Sequence, residues 1–402
     1  MTASRSNWTG VAFGLCIACF AAYQQFKLPP ALPLLLQSYG YDRTLAGGFM
    51  SVYALAGLGL SLFLGRIIDR GHAGVSILIG LAAMIAGSSL ALALPENGWI
   101  VLAARALEGA GFAVLAMCGP VLANANAAPR HLPIIVGLTA AWIPVGQLAA
   151  ALLAPAAFAV QGWQALWLVA ILGSAALAVW TLSLMRRGAL ELSAGARAAA
   201  GTKAASLPAG RRLSLILTAV IFMLWSGQYF AYMTWLPQYL VEVHGLTPSL
   251  AVVGNMVPVV VLILTTLVTG MILRAGVPLG PLLVAGLAVQ AAGWWAVSSA
   301  AGGWIGIASL VVYGIAAGIC PTCFFAMPSA LAGQGRAAGP AFGIIMTGRN
   351  LGVLVGPVLL AQAFKITGAW DIAAPIFGTI TALALVLGLW LAVSLRGARY
   401  KY

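Results

Sequence analysis

The sequence is a succession of long apolar runs separated by short polar breaks. The runs cover residues 8–37, 44–66, 73–94, 99–123, 131–155, 163–185, 212–240, 247–273, 277–299, 303–325, 339–364 and 370–395. Each is close to the roughly 20 residues that an α-helix needs to span a hydrocarbon core, whereas a barrel strand would need about half that in an alternating pattern. A backbone that enters lipid has to satisfy its own hydrogen bonds, so unalternating runs of this length dictate helices. Only 7% of the 402 residues are charged, against about 25% in a soluble domain. Most of the molecular surface must therefore face something apolar. The expected fold class is an all-α membrane protein with about twelve transmembrane helices.

The net charge of +13 would suggest nucleic acid in a soluble chain. Here Lys and Arg sit in short loops between apolar runs and not in clusters beside aromatic platforms, so no nucleic-acid partner is expected. Cys16, Cys19, Cys118, Cys320 and Cys323 all fall inside apolar runs. The two CxxC spacings have no His or acid close by in sequence and read as small buried hydrophobes. Neither a metal nor any other cofactor is expected. The first run continues from Trp8 past Phe20 without a cleavage site and reads as the first span, not as a removable signal.

Loop charge sets the orientation. With both termini inside, Arg5, Arg66, Arg70, Arg130, Arg186, Arg187, Arg274, Arg336 and Arg396 all fall in inner loops or tails, and the outer loops keep only Arg43 and Lys365. Such an asymmetry marks the cytoplasmic side. The expectation is a multi-pass protein of the inner (plasma) membrane with both termini cytoplasmic. Trp99, Trp163, Trp304 and Trp370 fall near outer helix ends, as an aromatic belt would. Residues 186–211, rich in Ala, Gly, Arg and Ser, read as a partly disordered cytoplasmic linker. It would join an N-terminal six-helix bundle, 1–185, to a C-terminal one, 212–402. An internal repeat at an offset of about 205 supports that division. Leu32-Pro33 matches Leu236-Pro237, and Gly65, Gly71, Gly109 and Gly137 match Gly270, Gly276, Gly314 and Gly343.

The loop after the second run reads Gly65-Arg66-Ile67-Ile68-Asp69-Arg70-Gly71-His72. It resembles the GxxxDRxGRR signature of the major facilitator superfamily. The second half carries a decayed copy, Gly270-Met271-Ile272-Leu273-Arg274-Ala275-Gly276, without the acid. The fourth run, Arg105-Ala106-Leu107-Glu108-Gly109-Ala110-Gly111, is similar to the superfamily's RxxxGxG pattern. The GxxxGPxxGG pattern of its drug exporters is mostly missing from the fifth run, GLTAAWIPVGQLAAALLAP. WLPQYL in the seventh run and GIAAGICPTCFFA in the tenth resemble, more loosely, the cyanate and nitroimidazole-type branch. The superfamily resemblance implies two pseudo-symmetric six-helix bundles around a central site that opens alternately to each side. It also implies a gate at Gly65, Asp69 and Arg70, with Gly65 allowing close helix approach.

Candidate binding residues are the polar and aromatic groups set in apolar runs. They are Tyr23, Gln24 and Lys27 in the first, Trp142 in the fifth, Gln228, Tyr229, Tyr232 and Trp235 in the seventh, and Arg349 and Asn350 in the eleventh. A charge inside a span is costly and functional by default. Arg105 and Glu108, three residues apart on one helix face, can pair, and they form the expected charge network. Glu108 is the one acid expected within a span and the candidate proton carrier. If Arg105 and Glu108 cancel, Lys27 and Arg349 are left as positive charges, and a small anion is the simplest substrate for them; the competing account pairs one of the two with Glu108 and leaves the site neutral. No GxxxxGK[ST] motif occurs, so ATP is not the direct energy source. The expected function is secondary active transport of a small solute, an organic or inorganic anion, by proton coupling or exchange. The rival is a proton-coupled exporter of hydrophobic drug-like compounds that uses the aromatics as its binding surface. No clustered His, Cys or acids suit a metal or a nucleophile, so an enzyme is not expected. The partners implied are the substrate, protons and the lipid bilayer.

Overall fold

The computed structural model describes residues 6–69, 73–128, 130–188, 209–297, 303–332 and 339–396. The chain divides into two compact units, Met1–Gly201 and Thr202–Tyr402. The first contains α1 (Trp8–Phe26), α2 (Leu28–Tyr39), α3 (Arg43–Asp69), α4 (Ala73–Ala93), α5 (Gly98–Ala125), α6 (Leu132–Ala140), α7 (Trp142–Gln161) and α8 (Gln164–Arg186). The second contains α9 (Ala209–His244), α10 (Pro248–Arg274), α11 (Leu279–Val297), α12 (Gly303–Ala332), α13 (Gly339–Thr367), a single 3-10 turn (Trp370–Ile372) and α14 (Ala373–Arg396). Ten of the resulting spans are long and apolar enough to cross a membrane. With α3 and the shorter apolar α11 they make the twelve transmembrane helices of an all-α membrane fold. Of the expected linker, residues 189–208 lie outside the described residues.

Two apolar runs that read as single helices are broken in the structure. The first divides at Lys27, between α1 and α2. Pro29 and Pro30 follow, and neither can donate to the carbonyls of Gln25 and Phe26 one turn back. The fifth divides at Ala141, between α6 and α7, with Pro144 in the first turn of α7. Helix boundaries elsewhere fall within a few residues of the apolar runs.

The two units pack in the same way. In the first, α5 lies against α1, α3 and α4, α7 against α1, and α8 against α4. In the second, α12 lies against α9, α10 and α11, α13 against α9, and α14 against α11. Between helices that share lipid-like apolar faces, attraction depends on close backbone approach, which small residues permit. Gly146 of α7 sits on the backbone of α1 at Cys19, and Gly356 of α13 sits on the backbone of α9 at Gly227. Both contacts leave no room for a side chain at either glycine. Trp99 and Trp304 are strongly exposed, as a belt requires, but Trp163 and Trp370 are buried and act as packing residues instead.

Candidate functional site

In the first unit the break in the first span creates the site. Pro29 leaves the carbonyl of Gln25 without a helical donor, and the break at Lys27 opens that of Gln24 beside it, inside an apolar unit where an unpaired carbonyl is costly. Arg105 of α5 supplies the donors. Its Nη1 donates to Gln24 O at 3.1 Å, its Nη2 to Gln25 O at 3.0 Å, and its Nε to Phe49 O of α3 at 3.1 Å. The guanidinium also lies over the Tyr53 ring, 4.3 Å from its centroid. One planar fork thus ties α1, α3 and α5 together, a task suited to Arg and not to Lys.

Glu108, one turn further along α5, collects the remaining donors. Its Oε2 accepts from Arg105 Nη1 at 2.5 Å and from Tyr53 Oη at 2.8 Å. Its Oε1 accepts from Lys27 Nζ at 2.8 Å and from Ser88 Oγ of α4 at 2.6 Å. Lys27 donates further to Gln24 Oε1 at 2.7 Å and to Ser88 Oγ at 3.0 Å, and stands 4.7 Å from the centre of the Trp167 ring. Lys27, Arg105 and Glu108 are all 0% exposed. Two cations and one anion give the cluster a net charge of +1, with every charged group hydrogen-bonded. Gly87 and Gly109 make the geometry possible. A side chain at Gly87 would meet Ala104 O and Glu108 Cγ, and one at Gly109 would meet Tyr53 Cα.

The structure therefore places Lys27 differently from the sequence reading, which left it facing a substrate. Lys27 has a carboxylate partner on another helix. Tyr23 and Gln24 are likewise occupied inside the unit: Tyr23 Oη donates to Leu166 O at 2.8 Å, and Gln24 Nε2 to Ala170 O and Ser174 Oγ at 3.3 Å. Trp142 is half-buried at the start of α7, with its ring 5.9 Å from Phe112, which in turn packs on Tyr53. Tyr53, Ser88 and Trp167 escaped the sequence reading. The only sequence signal for Ser88 is the polar notch Gly87-Ser88-Ser89 in an otherwise apolar run, and Tyr53 has none. The surroundings of Gly65, the side chain of Asp69 and all of Arg70 lie outside what the structure describes.

In the second unit Arg349 of α13 is 5% exposed. Its guanidinium lies 5.0 Å from the centre of the Phe230 ring, and its Nη1 donates to Asn350 Oδ1 at 2.9 Å. Its Nη2 is buried without a partner among the described residues. Its main-chain carbonyl accepts from Ser226 Oγ of α9 at 2.9 Å, which fixes its helix on α9. Gln228 Oε1 accepts from Trp294 Nε1 at 2.9 Å and Tyr313 Oη at 3.0 Å, while its Nε2 is a second buried donor without a partner among the described residues. Tyr229 stacks on Trp225 at 4.9 Å, and Tyr232 stacks on Tyr313 at 3.9 Å. Trp235 Nε1 donates to Pro357 O at 3.0 Å.

The Cys residues are free thiols, with Cys320 and Cys323 buried in α12. No curated protein sequence matches the chain. The structure is similar to that of the xylose transporter XylE from E. coli in a partially occluded inward-open conformation. The TM-score is 0.69 at 15% identity, and the match covers 94% of this chain and 96% of that one. At that identity the likeness shows the fold alone. The profile of the Major Facilitator Superfamily matches residues 14–357, which takes in both units and both charged sites, and the chain belongs to that superfamily.

Proposed function

We propose that this protein is a secondary active transporter that carries a small anionic solute through the inner (plasma) membrane by alternating access, with Arg349 holding the anionic group. Membership of the superfamily supports transport of a small molecule. The observation that carries the substrate class is the buried Arg349 guanidinium, whose Nη2 has no partner among the described residues. A buried guanidinium N–H seeks an acceptor, and a carboxylate or phosphate fits its planar fork. The open Nε2 of Gln228 adds a second donor in the same unit. The loose resemblance to the cyanate and nitroimidazole-type branch is compatible with a small solute.

Lys27 belongs to the coupling machinery in this reading. The cluster around Glu108 can change charge only if one of its donors leaves, so proton binding there is tied to breaking the Lys27–Glu108 contact. The test is substrate-stabilised unfolding of the purified protein against a set of small carboxylates and phosphates, repeated with Arg349→Ala and Arg349→Lys. The expected result is one stabilising anion whose effect is lost in Arg349→Ala and weakened in Arg349→Lys. Stabilisation by hydrophobic cations alone, unchanged in Arg349→Ala, would favour the drug-exporter reading instead. The proposed orientation, with residues near 200 cytoplasmic, is overturned if a cysteine placed there reacts with an impermeant reagent added outside.

A further inference from the structure

A pocket in the second unit lies apart from Arg349 and its partners. It lies where α9 and α13 finish and α14 begins, and its walls include Tyr232, Trp235, Tyr239, Trp294, Trp370 and Asp371. Its space, including the open mouth, is about 480 Å³. The walls meet at steep angles. Tyr232 stands edge-on to Trp294 with ring centres 5.6 Å apart and planes at 88°, and Tyr239 stands edge-on to Trp370 at 6.3 Å and 84°. Trp235 lies 5.8 Å from Trp370 at 49°. The result is an aromatic box.

What the box lacks decides its ligand. An indole has one donor and no acceptor, and all three indole donors are used in the scaffold. Trp235 Nε1 donates to Pro357 O, Trp294 Nε1 to Gln228 Oε1, and Trp370 Nε1 to Glu242 Oε2 at 2.8 Å. The tryptophans therefore offer the pocket only carbon and π-faces. Among its lining residues the one charged group is the exposed carboxylate of Asp371. Glu242 adds a second negative charge behind Trp370, where it also accepts from Gln238 Nε2 at 2.6 Å. These are the only acids between residues 202 and 402 of a chain with net charge +13, and both belong to this one site. The exposed Lys365 and the half-buried His244, whose ring stands edge-on to Tyr239 at 5.3 Å, are basic groups at the same end. An anion would meet no N–H donor from the indoles and a carboxylate at the rim. A cation would meet ring faces and an acid.

We propose that this pocket binds a quaternary ammonium group of the choline type, held by the aromatic faces and by Asp371. A quaternary ammonium has no N–H to satisfy, so it can sit among the ring faces without calling on the Tyr232 and Tyr239 hydroxyls, and the ring quadrupoles attract it. The same headgroup is carried by free choline-like compounds and by phosphocholine lipids. None of the residues in contact with Arg349 lines this pocket, and its one link to the anion reading is Trp294, which donates to Gln228 Oε1.

The experiment is titration of the purified full-length protein, in a maltoside detergent, with choline and with its uncharged isostere 3,3-dimethyl-1-butanol, following tryptophan emission and calorimetry. Choline is expected to bind saturably and roughly ten-fold more tightly than the isostere, the difference being the charge. Asp371→Asn, a surface change, is expected to weaken choline binding about five-fold or more with an unchanged melting temperature. Tyr239→Leu should weaken it independently. Repeating the titration in nanodiscs separates the two sources. If choline binds in phosphatidylglycerol discs but not in phosphatidylcholine discs, the lipid headgroup occupies the site; equal binding in both assigns it to the free ammonium. Equal affinity for choline and the isostere, or undiminished choline affinity in both Asp371→Asn and Tyr239→Leu, overturns the proposal.

Discussion

Lys27 and Glu108, 81 positions apart in sequence, form a fully buried ion pair at 2.8 Å. Glu108 also holds Arg105 at 2.5 Å, so one carboxylate serves two cations. Removing one member of a buried charge group costs more than the pair itself contributes, because the partner is left uncompensated. The members are therefore not equivalent. Lys27→Met leaves a neutral Arg105–Glu108 pair, whereas Glu108→Gln leaves two buried cations side by side. Glu108→Gln is expected to lower stability by roughly 3–5 kcal/mol and Lys27→Met by distinctly less. The double variant Lys27→Met/Glu108→Gln should recover part of the Glu108→Gln loss, a non-additivity expected of residues in one network. Thermal unfolding in detergent checks the order, and equal losses for the two single variants would show that the charges are not coupled as the distances imply.

Arg105→Lys retains the charge and loses the fork. Gln24 O, Gln25 O and Phe49 O accept from three different nitrogens of Arg105, and an ammonium cannot reach all three. Gln24 O is also within reach of Tyr53 Oη and Phe49 O lies within the continuous helix α3, so Gln25 O is the carbonyl left open, at a cost of about 1–3 kcal/mol. Arg105→Lys is accordingly expected to unfold at a markedly lower temperature than wild type, despite an unchanged net charge. A melting temperature indistinguishable from that of wild type would mean that water or rearranged backbone serves that carbonyl instead.

The architecture was legible because the apolar runs are long and the charges few. Runs such as 73–94 became α4 (Ala73–Ala93) almost unchanged, since lipid-facing helices have no competing solution. The breaks at Lys27 and Ala141 were less legible. Proline pairs suggest a bend, but the break becomes affordable only through Arg105, which is supplied from a helix some 80 residues away. The charge cluster was half-legible for the same reason. The Arg105–Glu108 pairing follows from helix spacing alone, whereas the Lys27–Glu108 pairing depends on α1 packing against α5, which no local pattern encodes. Tyr53 and Ser88 resemble many other hydroxyls in apolar runs until the fold brings both to the same carboxylate.

The gate assignment rests on the sequence motif. Asp69 lies at the end of α3, in the position of the acid in the superfamily's loop signature. We expect Asp69→Asn to slow transport about ten-fold or more while leaving substrate affinity within about two-fold, because a bias of a few kcal/mol between two states changes their populations and not the site itself. Transport into proteoliposomes and equilibrium binding, measured on the same preparation, separate the two effects. Unchanged turnover removes Asp69 from the gate.

Among the described residues, the repeat's glycines within helices divide into two groups that the sequence does not distinguish. Gly109 and Gly314 are packed against neighbouring helices, at Tyr53 Cα and at Val261 with Pro258 O. Gly137, Gly270 and Gly343 have nothing within 4 Å of where a side chain would begin. Gly146 and Gly356, outside that set of matches, sit directly on neighbouring backbone, at Cys19 and at Gly227. Backbone cannot give way as the tip of a flexible side chain can, so a methyl group at Gly146 or Gly356 must separate two helices. Overpacking of this kind costs roughly 1–3 kcal/mol. At Gly137 and Gly343, in helical backbone with open space, the same substitution removes conformational freedom from the unfolded chain and should be neutral or stabilising by up to about 1 kcal/mol. The expected pattern is that Gly146→Ala and Gly356→Ala lower the melting temperature and Gly137→Ala and Gly343→Ala do not. Because the last two remain well folded, any transport defect they show is a defect of function, and it would mark those open positions as surfaces used in the transport cycle. Loss of stability in Gly137→Ala equal to that in Gly146→Ala would show that the spacing around Gly137 is not as open as the structure has it.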